Sequence, residues 1–175
     1  MNILITGLPG VGKTTLVKQI IALSDMDWGG FFTEDIRERN SRVGFKIIAT
    51  DGTSGTLAHI HHHSLCKVGK YRVNLHDLDA VATAAIERAL HQKKSIVMDE
   101  IGKMELFSEK FRNVVQLALN SPLVVLATIT AAKIAFVDQI KRRSDIIIVE
   151  LQADNRKILK TMILDLLARQ GEKDV

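Results

Sequence analysis

The chain contains one cysteine, Cys66, in 175 residues, so it can form no internal disulfide. This agrees with a reducing compartment. There are only two prolines, Pro9 and Pro122, and no repeat, low-complexity tract or linker-like run, so nothing marks a boundary between domains. Long hydrophobic runs are also missing. Stretches such as PLVVLATITAAKIAF are too short or too interrupted to span a bilayer, and MNILITG lacks the basic region and cleavage signal of a secretory leader. A cytoplasmic protein that makes no use of a membrane is expected. Nor does one sign of charge dominate: 24 Lys and Arg face 20 Asp and Glu. The basic residues are scattered, with short clusters only at Lys93-Lys94 and Lys141-Arg142-Arg143, so a nucleic-acid partner is not expected.

What is present is an ordinary globular composition, 46% hydrophobic and 25% charged. The length suits one domain over residues 1–175, burying roughly two thirds of its unfolded surface. Strand and helix patterns alternate. Strands are expected at 2–6, 95–99, 123–128 and 145–149, and helices at 14–23, 77–91, 108–119 (capped by Ser108), 134–143 and 155–168. This alternation predicts an α/β fold with a mainly parallel sheet between two helical layers. Residues 28–73 differ: GGFFTEDIRE, RVGFKIIAT, GTLAHIH and KYRV read as short strands between turns, a β-rich antiparallel insertion. Trp28, Phe31 and Phe32 are expected in its core.

GLPGVGKT, Gly7 to Thr14, follows a strand and opens a helix, and it fits G-x-x-x-x-G-K-[ST]. The residue types follow from phosphate chemistry. Gly7, Gly10 and Gly12 let the backbone bend so that the N–H groups of the loop point inward, with Leu8, Val11 and the donor-less Pro9 completing its course. The helix beginning at Lys13 directs its positive end to the same place. Lys13 can neutralise the outer phosphates, Thr14 can ligate Mg²⁺, and Thr15 completes the first helical turn around the phosphates.

SIVMDEIGKMEL, residues 95–106, runs apolar and then places Asp99 beside Glu100. Charges at the end of a buried strand need compensation. Beside a phosphate loop, Asp99 fits the Walker-B acid that holds Mg²⁺ with Thr14. Side chains alternate along a strand, so Glu100 is expected on the opposite face, where it can orient or deprotonate the attacking water. Arg143, or equally Arg142, is a candidate cation supplied in cis to the γ-phosphate, although Lys141, Arg142 and Arg143 also suit a helix C-terminus. Asn155 and Arg156 suit either a place near the base or ribose, or an N-cap and its neighbour. His59, His61, His62 and His63 near Cys66 carry metal-ligand chemistry, but in one crowded run rather than two separated pairs.

The set GLPGVGKTTL, GFFTEDIRE, RVGF, VGKYRV, MDEIGKMEL and Asn155-Arg156 resembles the small nucleoside-triphosphatase family first recognised in thermophiles, which has a cancer-related human member. The resemblance implies a three-layer phosphate-loop NTPase fold. It also implies Mg²⁺-dependent hydrolysis of ATP, GTP, CTP and UTP with little base preference. Residue by residue, it implies phosphate binding at Gly7 through Thr14, metal coordination at Thr14 and Asp99, and a catalytic role for Glu100, while Lys103 and Glu105 share the signature without an assigned role. Two other functions use the same loop. A nucleoside or nucleotide kinase must hold an acceptor, and residues 28–73 suggest no helical lid or acceptor pocket. A guanine-nucleotide switch should carry Asn-Lys-x-Asp, which the chain lacks, whereas an adenine switch stays open.

Overall fold

The computed structural model describes residues 1–171. The chain runs β1 (Asn2–Thr6), α1 (Lys13–Leu23), β2 (Trp28–Glu38), β3 (Ser41–Ala49), β4 (Ser54–His59), β5 (Lys67–Val68) and β6 (Tyr71–Val73). It continues through α2 (Leu75–Asp77), a π-helical turn (Leu78–Thr83), α3 (Ala84–His91), β7 (Ser95–Ile101) and a 3₁₀ turn (Glu105–Phe107). Last come α4 (Glu109–Asn120), β8 (Val125–Ile129), α5 (Ala135–Lys141), β9 (Ile146–Glu150) and α6 (Arg156–Gly171).

Among the described residues nine strands form one sheet, ordered β5-β6-β4-β3-β2-β7-β8-β1-β9. The pairs β2–β7, β7–β8, β8–β1 and β1–β9 are parallel. From β2 outward to β5 the pairing is antiparallel. The expected insertion is therefore corrected in one respect. Its first strand belongs to the parallel core: β2 pairs with β7 over Trp28–Phe31, and its later residues run on beside β3 as a two-stranded ribbon. Strand order, which motifs leave open, places β8 between the strand that leads into the phosphate loop and the strand that carries the two acids.

Alternation along the buried strands sorts side chains into two cores. Ile3, Ile5, Val97 and Leu126 pack with Leu16, Val17 and Ile20 of α1 and with Leu159, Ile163 and Leu167 of α6. Leu4, Ile96, Met98, Val125 and Ala127 face the other way, toward Ile86 of α3, Phe111 and Val115 of α4, and Val137 of α5. The result is three layers, helix–sheet–helix. Ile3, Leu4 and Ile5 are fully buried, each contributing about 2 kcal/mol through removal from water.

Two local patterns depart from simple periodicity. Leu23, the last residue of α1, is exposed because the helix ends there and Ser24 turns extended. Leu78, Val81 and Ala85 are all buried, and their uneven spacing is accommodated by the π turn, which shifts the helical phase by widening one turn. Ser108 caps α4 as expected, its Oγ accepting from the Phe111 N–H at 3.0 Å. Trp28 and Phe31 are buried and Phe32 is half-buried. No helix among the described residues is long and apolar enough to cross a membrane.

Candidate functional site

The parallel strands bring their carboxyl ends to one edge of the sheet, where ligands of such sheets bind. β1 stops at Thr6, and Gly7–Gly12 form the loop that leads into α1. Gly7 passes so close to the next strand's exit that a Cβ would lie 2.6 Å from the Leu151 carbonyl oxygen. Gly12, at φ 97°, is left-handed and faces the Arg156 guanidinium. These two positions leave no room for a side chain. α1 has neither a side-chain N-cap nor an acid in its first turn, so its N–H groups and positive end remain available to an anion. Lys13 Nζ donates to the carbonyls of Gly7 at 3.0 Å and Leu8 at 3.3 Å, which holds the ammonium against the loop.

A cavity of about 790 Å³ opens here. Gly7, Pro9, Gly10, Gly12 and Lys13 to Thr15 line one end, and Asp99, Glu100 and Glu105 line the middle. Asp99 is 1% exposed, and its Oδ1 accepts from the Thr128 hydroxyl at 2.8 Å. Its Oδ2 is buried with no hydrogen-bond partner. Burial pushes the Asp99 carboxyl above its ordinary range, and the nearby polar groups of Thr14, Thr128 and Thr33 oppose that push. An unpartnered buried carboxylate oxygen is costly, and a divalent cation shared with the Thr14 hydroxyl fits the requirement.

Glu100 is a correction to the strand reading. It does not leave on the far face of the sheet but lines the same cavity as Asp99, because the β7–β8 register shifts between Met98 and Ile101 and the alternation ends there. Burial raises its carboxyl, the Lys13 ammonium lowers it, and Asp99 raises it again. Glu105 joins the pair: a Cβ on Gly102 would lie 2.9 Å from Glu105 Oε2 and 3.3 Å from Glu100 Cδ. Lys103 is exposed and lines the same space.

Glu105 is 5% exposed, and burial, reinforced by the charge of Glu100, pushes its carboxyl up to about 8. In the unfolded chain it ionises near 4.5. The folded protein therefore holds an extra proton between those values, and the stability tied to it is full below 4.5 and lost as pH rises through about 8. The amount is on the order of a few kcal/mol. Glu105→Gln, which cannot ionise, is expected to lose that pH dependence and to melt at a higher temperature than the parent at alkaline pH. Melting curves across this range check it, and parallel curves for the two proteins would contradict a buried proton at this position.

Arg143 is not brought to the site. Its guanidinium is held by Asp145 at 2.7 and 2.9 Å, by the Asn120 side chain at 2.8 Å and by the Leu119 carbonyl at 3.1 Å. Asn2, at the start of β1, joins the same cluster through Asp145 and Leu119. The phosphate loop lies at the other end of β1, about 16 Å away at strand rise. Arg143 ties α4 to the start of β9, as a C-terminal helix cation can.

Arg156 stands much nearer, donating to the Val11 carbonyl at 2.6 Å and so bracing the loop from the start of α6. Asn155 closes the turn between β9 and α6: its Oδ1 accepts from Gln152 N–H and its Nδ2 donates to the Glu150 carbonyl, both at 2.9 Å. Thr33, Arg42 and Phe45, which lie in the GFFTEDIRE and RVGF segments without an assigned role, also reach the cavity, as does Thr128, to which no motif points. Thr128 could have been found as the last polar residue of an apolar parallel strand. The His59 and His61 rings lie 5.5 Å apart, tilted by 48°, and among the described residues no three His, Cys, Asp or Glu side chains converge as a metal-ligand set.

Comparison with known proteins agrees with this geometry. The NTPase family model matches residues 2–164. Nucleoside-triphosphatase THEP1 of Thermotoga maritima is 49% identical over 174 residues, covering 99% of each chain. The human cancer-related nucleoside-triphosphatase is 33% identical over 174 residues, covering 90% of this chain and 92% of the relative. The crystal structure of THEP1 from Aquifex aeolicus superposes with a TM-score of 0.88 at 40% identity, covering 95% of this chain and 99% of that one. With a phosphate loop, a strand carrying Asp99-Glu100 near its carboxyl end and a matching fold over nearly its whole length, the chain belongs to the nucleoside-triphosphatase family.

Proposed function

We propose that the protein is a Mg²⁺-dependent nucleoside-triphosphatase that converts ATP, GTP and other nucleoside triphosphates to the diphosphate and phosphate with little base preference. The observation that carries this reading is the unpartnered, buried Oδ2 of Asp99 beside Thr14 at the mouth of the phosphate loop, with Glu100 lining the same cavity. Thr14 and Asp99 would hold the ion. When bound, Mg²⁺ offsets charge on the outer phosphate oxygens.

The chain's own groups do the rest. The loop N–H groups and the first turn of α1 bind and orient the phosphates. Lys13 stabilises charge that develops on the transferring phosphoryl group and the leaving oxygen. Glu100, close enough to Lys13 to feel its charge, positions a water and accepts its proton. The phosphate end carries the recognition, and no guanine-reading Asn-Lys-x-Asp occurs in the chain, which suits broad base use. Cys66 is a free, half-buried thiol, in keeping with a cytoplasmic setting.

Phosphate release from ATP, GTP, CTP and UTP, with and without Mg²⁺, tests the reading. Release that is absent for all four, or indifferent to Mg²⁺, would overturn it. Asp99→Asn keeps the shape of the side chain but removes its charge, so a higher Mg²⁺ concentration is expected for half-maximal release, with the fold intact. An unchanged Mg²⁺ titration would take Asp99 out of the metal site.

A further inference from the structure

The cavity extends well past the residues that the hydrolytic reading uses. Its far end is lined by Arg42 and Phe45 of β3, Leu57 of β4, Val68 of β5 and Met104. This corrects the expectation that residues 28–73 offer no acceptor pocket: the ribbon of β2 and β3 overruns the end of β7 and, with β4 and β5, forms one wall.

Sheet order gives the cavity a direction. Passing from β1 and the phosphate loop, one crosses β8, then β7 with Asp99 and Glu100, and only then β2, β3 and β4. Loop N–H groups cradle the inner phosphates and the loop lysine reaches the outer ones. The transferring phosphoryl group would therefore sit between the loop and Glu100, with its leaving oxygen on the loop side. In-line displacement brings the nucleophile from the opposite side. That side opens into the lobe formed by the ribbon. A nucleoside attached to the inner phosphates would continue in the other direction, away from the lobe.

The lobe also has a defined chemistry. Phe45, Leu57, Val68 and Met104 give it an apolar lining, and Arg42 at its rim is already paired. Arg42 lies 5.0 Å over the Phe45 ring, donates to the Tyr71 hydroxyl at 3.2 Å and pairs with Asp35 at 3.4 Å. Tyr71 meets Phe45 edge-on at 5.0 Å. An apolar lining with a few polar groups at the rim is the usual make-up of a small-molecule site. Asp99 and Glu100 line the adjoining part, and ionised carboxylates there disfavour an anionic occupant.

We propose that this lobe is an acceptor subsite for an uncharged, ring-bearing alcohol such as a nucleoside, and that the enzyme transfers the γ-phosphoryl group to its hydroxyl. The inference rests on the triphosphatase reading of the phosphate end. In the step, the alcohol oxygen forms a bond to the γ-phosphorus and the bond from that phosphorus to the bridging oxygen breaks. The hydroxyl proton passes to the Glu100 carboxylate, and the nucleoside diphosphate leaves with the bonding electron pair. Hydrolysis is the same step with water in the lobe.

The test supplies ATP labelled at the γ-phosphate together with adenosine, guanosine, cytidine, uridine, thymidine or pyridoxine, and separates labelled alcohol from labelled free phosphate. At least one of these alcohols is expected to take up label and to reduce the share released as phosphate. Val68→Trp, which fills the lobe, and Phe45→Leu, which removes a ring from its wall, are each expected to lower the ratio of transfer to hydrolysis by about tenfold or more, melting curves confirming the fold. Absence of labelled alcohol with every member overturns the proposal. So do variants that change ATP affinity and base preference while leaving the ratio alone, since the lobe would then hold the nucleobase. Release without an acceptor is scored in the same reactions: if it persists while transfer is absent, only the subsite fails, and if both are absent the triphosphatase reading fails with it.

Discussion

Glu100→Gln is expected to bind ATP and Mg²⁺ as the parent does and to release phosphate about 10²-fold more slowly or worse, the usual worth of a positioned general base. The amide keeps the volume of the carboxylate and can still hydrogen-bond a water, but it cannot accept the proton. The Glu100 carboxyl is raised by burial and by Asp99 and lowered by Lys13, so it sits between a cation on the loop and an acid on its own strand. Substitution therefore removes a base without creating an unpaired buried cation. Calorimetric ATP affinity in Mg²⁺, paired with single-turnover release and a melting curve, separates the outcomes. Normal binding with the parent rate would pass the role to another acid, and Glu105, which lies beside Glu100 over Gly102, is the next to examine. Equal losses in binding, rate and melting temperature would mark Glu100 as structural.

Lys13→Ala should be the most damaging change at the phosphate end. Turnover is expected to fall by about 10³-fold, to the edge of detection, and triphosphate affinity should drop as well, because an ammonium facing the outer phosphates contributes to both ground-state binding and transition-state stabilisation. The structural cost is small by comparison. Lys13 Nζ donates to two loop carbonyls that stand near solvent, so their loss costs about 1 kcal/mol each at most. A variant that folds, melts near the parent temperature and has lost turnover places the effect in chemistry. Near-normal turnover would remove the loop lysine from the mechanism.

Local chemistry is legible in the order of residues alone. GLPGVGKT needs only its own glycines, one lysine and the strand–helix flanks to define an anion site, since those requirements act within a few residues. The same holds for the apolar strands and for the Ser108 cap, because strand alternation and helix capping are set by neighbouring residues. Even the position of Asp99 at the end of its strand follows from the run of apolar residues that precedes it.

Glu100 shows where this stops. Strict alternation sends it to the opposite face, and only the register shift against β8 brings it back beside Asp99. Arg143 resembles a phosphate-seeking cation on composition, yet pairing with Asp145, Asn120 and Leu119 holds it at the amino end of the sheet. Arg156 is 145 positions from Val11, to which it donates across the start of α6.

The sequence by itself determined the phosphate loop, the buried acid-bearing strand and the α/β layering, because each follows from residue type, spacing and burial within one or two adjacent elements. Tertiary structure alone decided which strand separates the loop from the acids, which arginine braces the loop, and that β2 to β5 wall in the cavity. Those outcomes depend on strand order and register, which are selected by packing over the whole sheet, and contacts between distant segments leave no periodic trace in the chain.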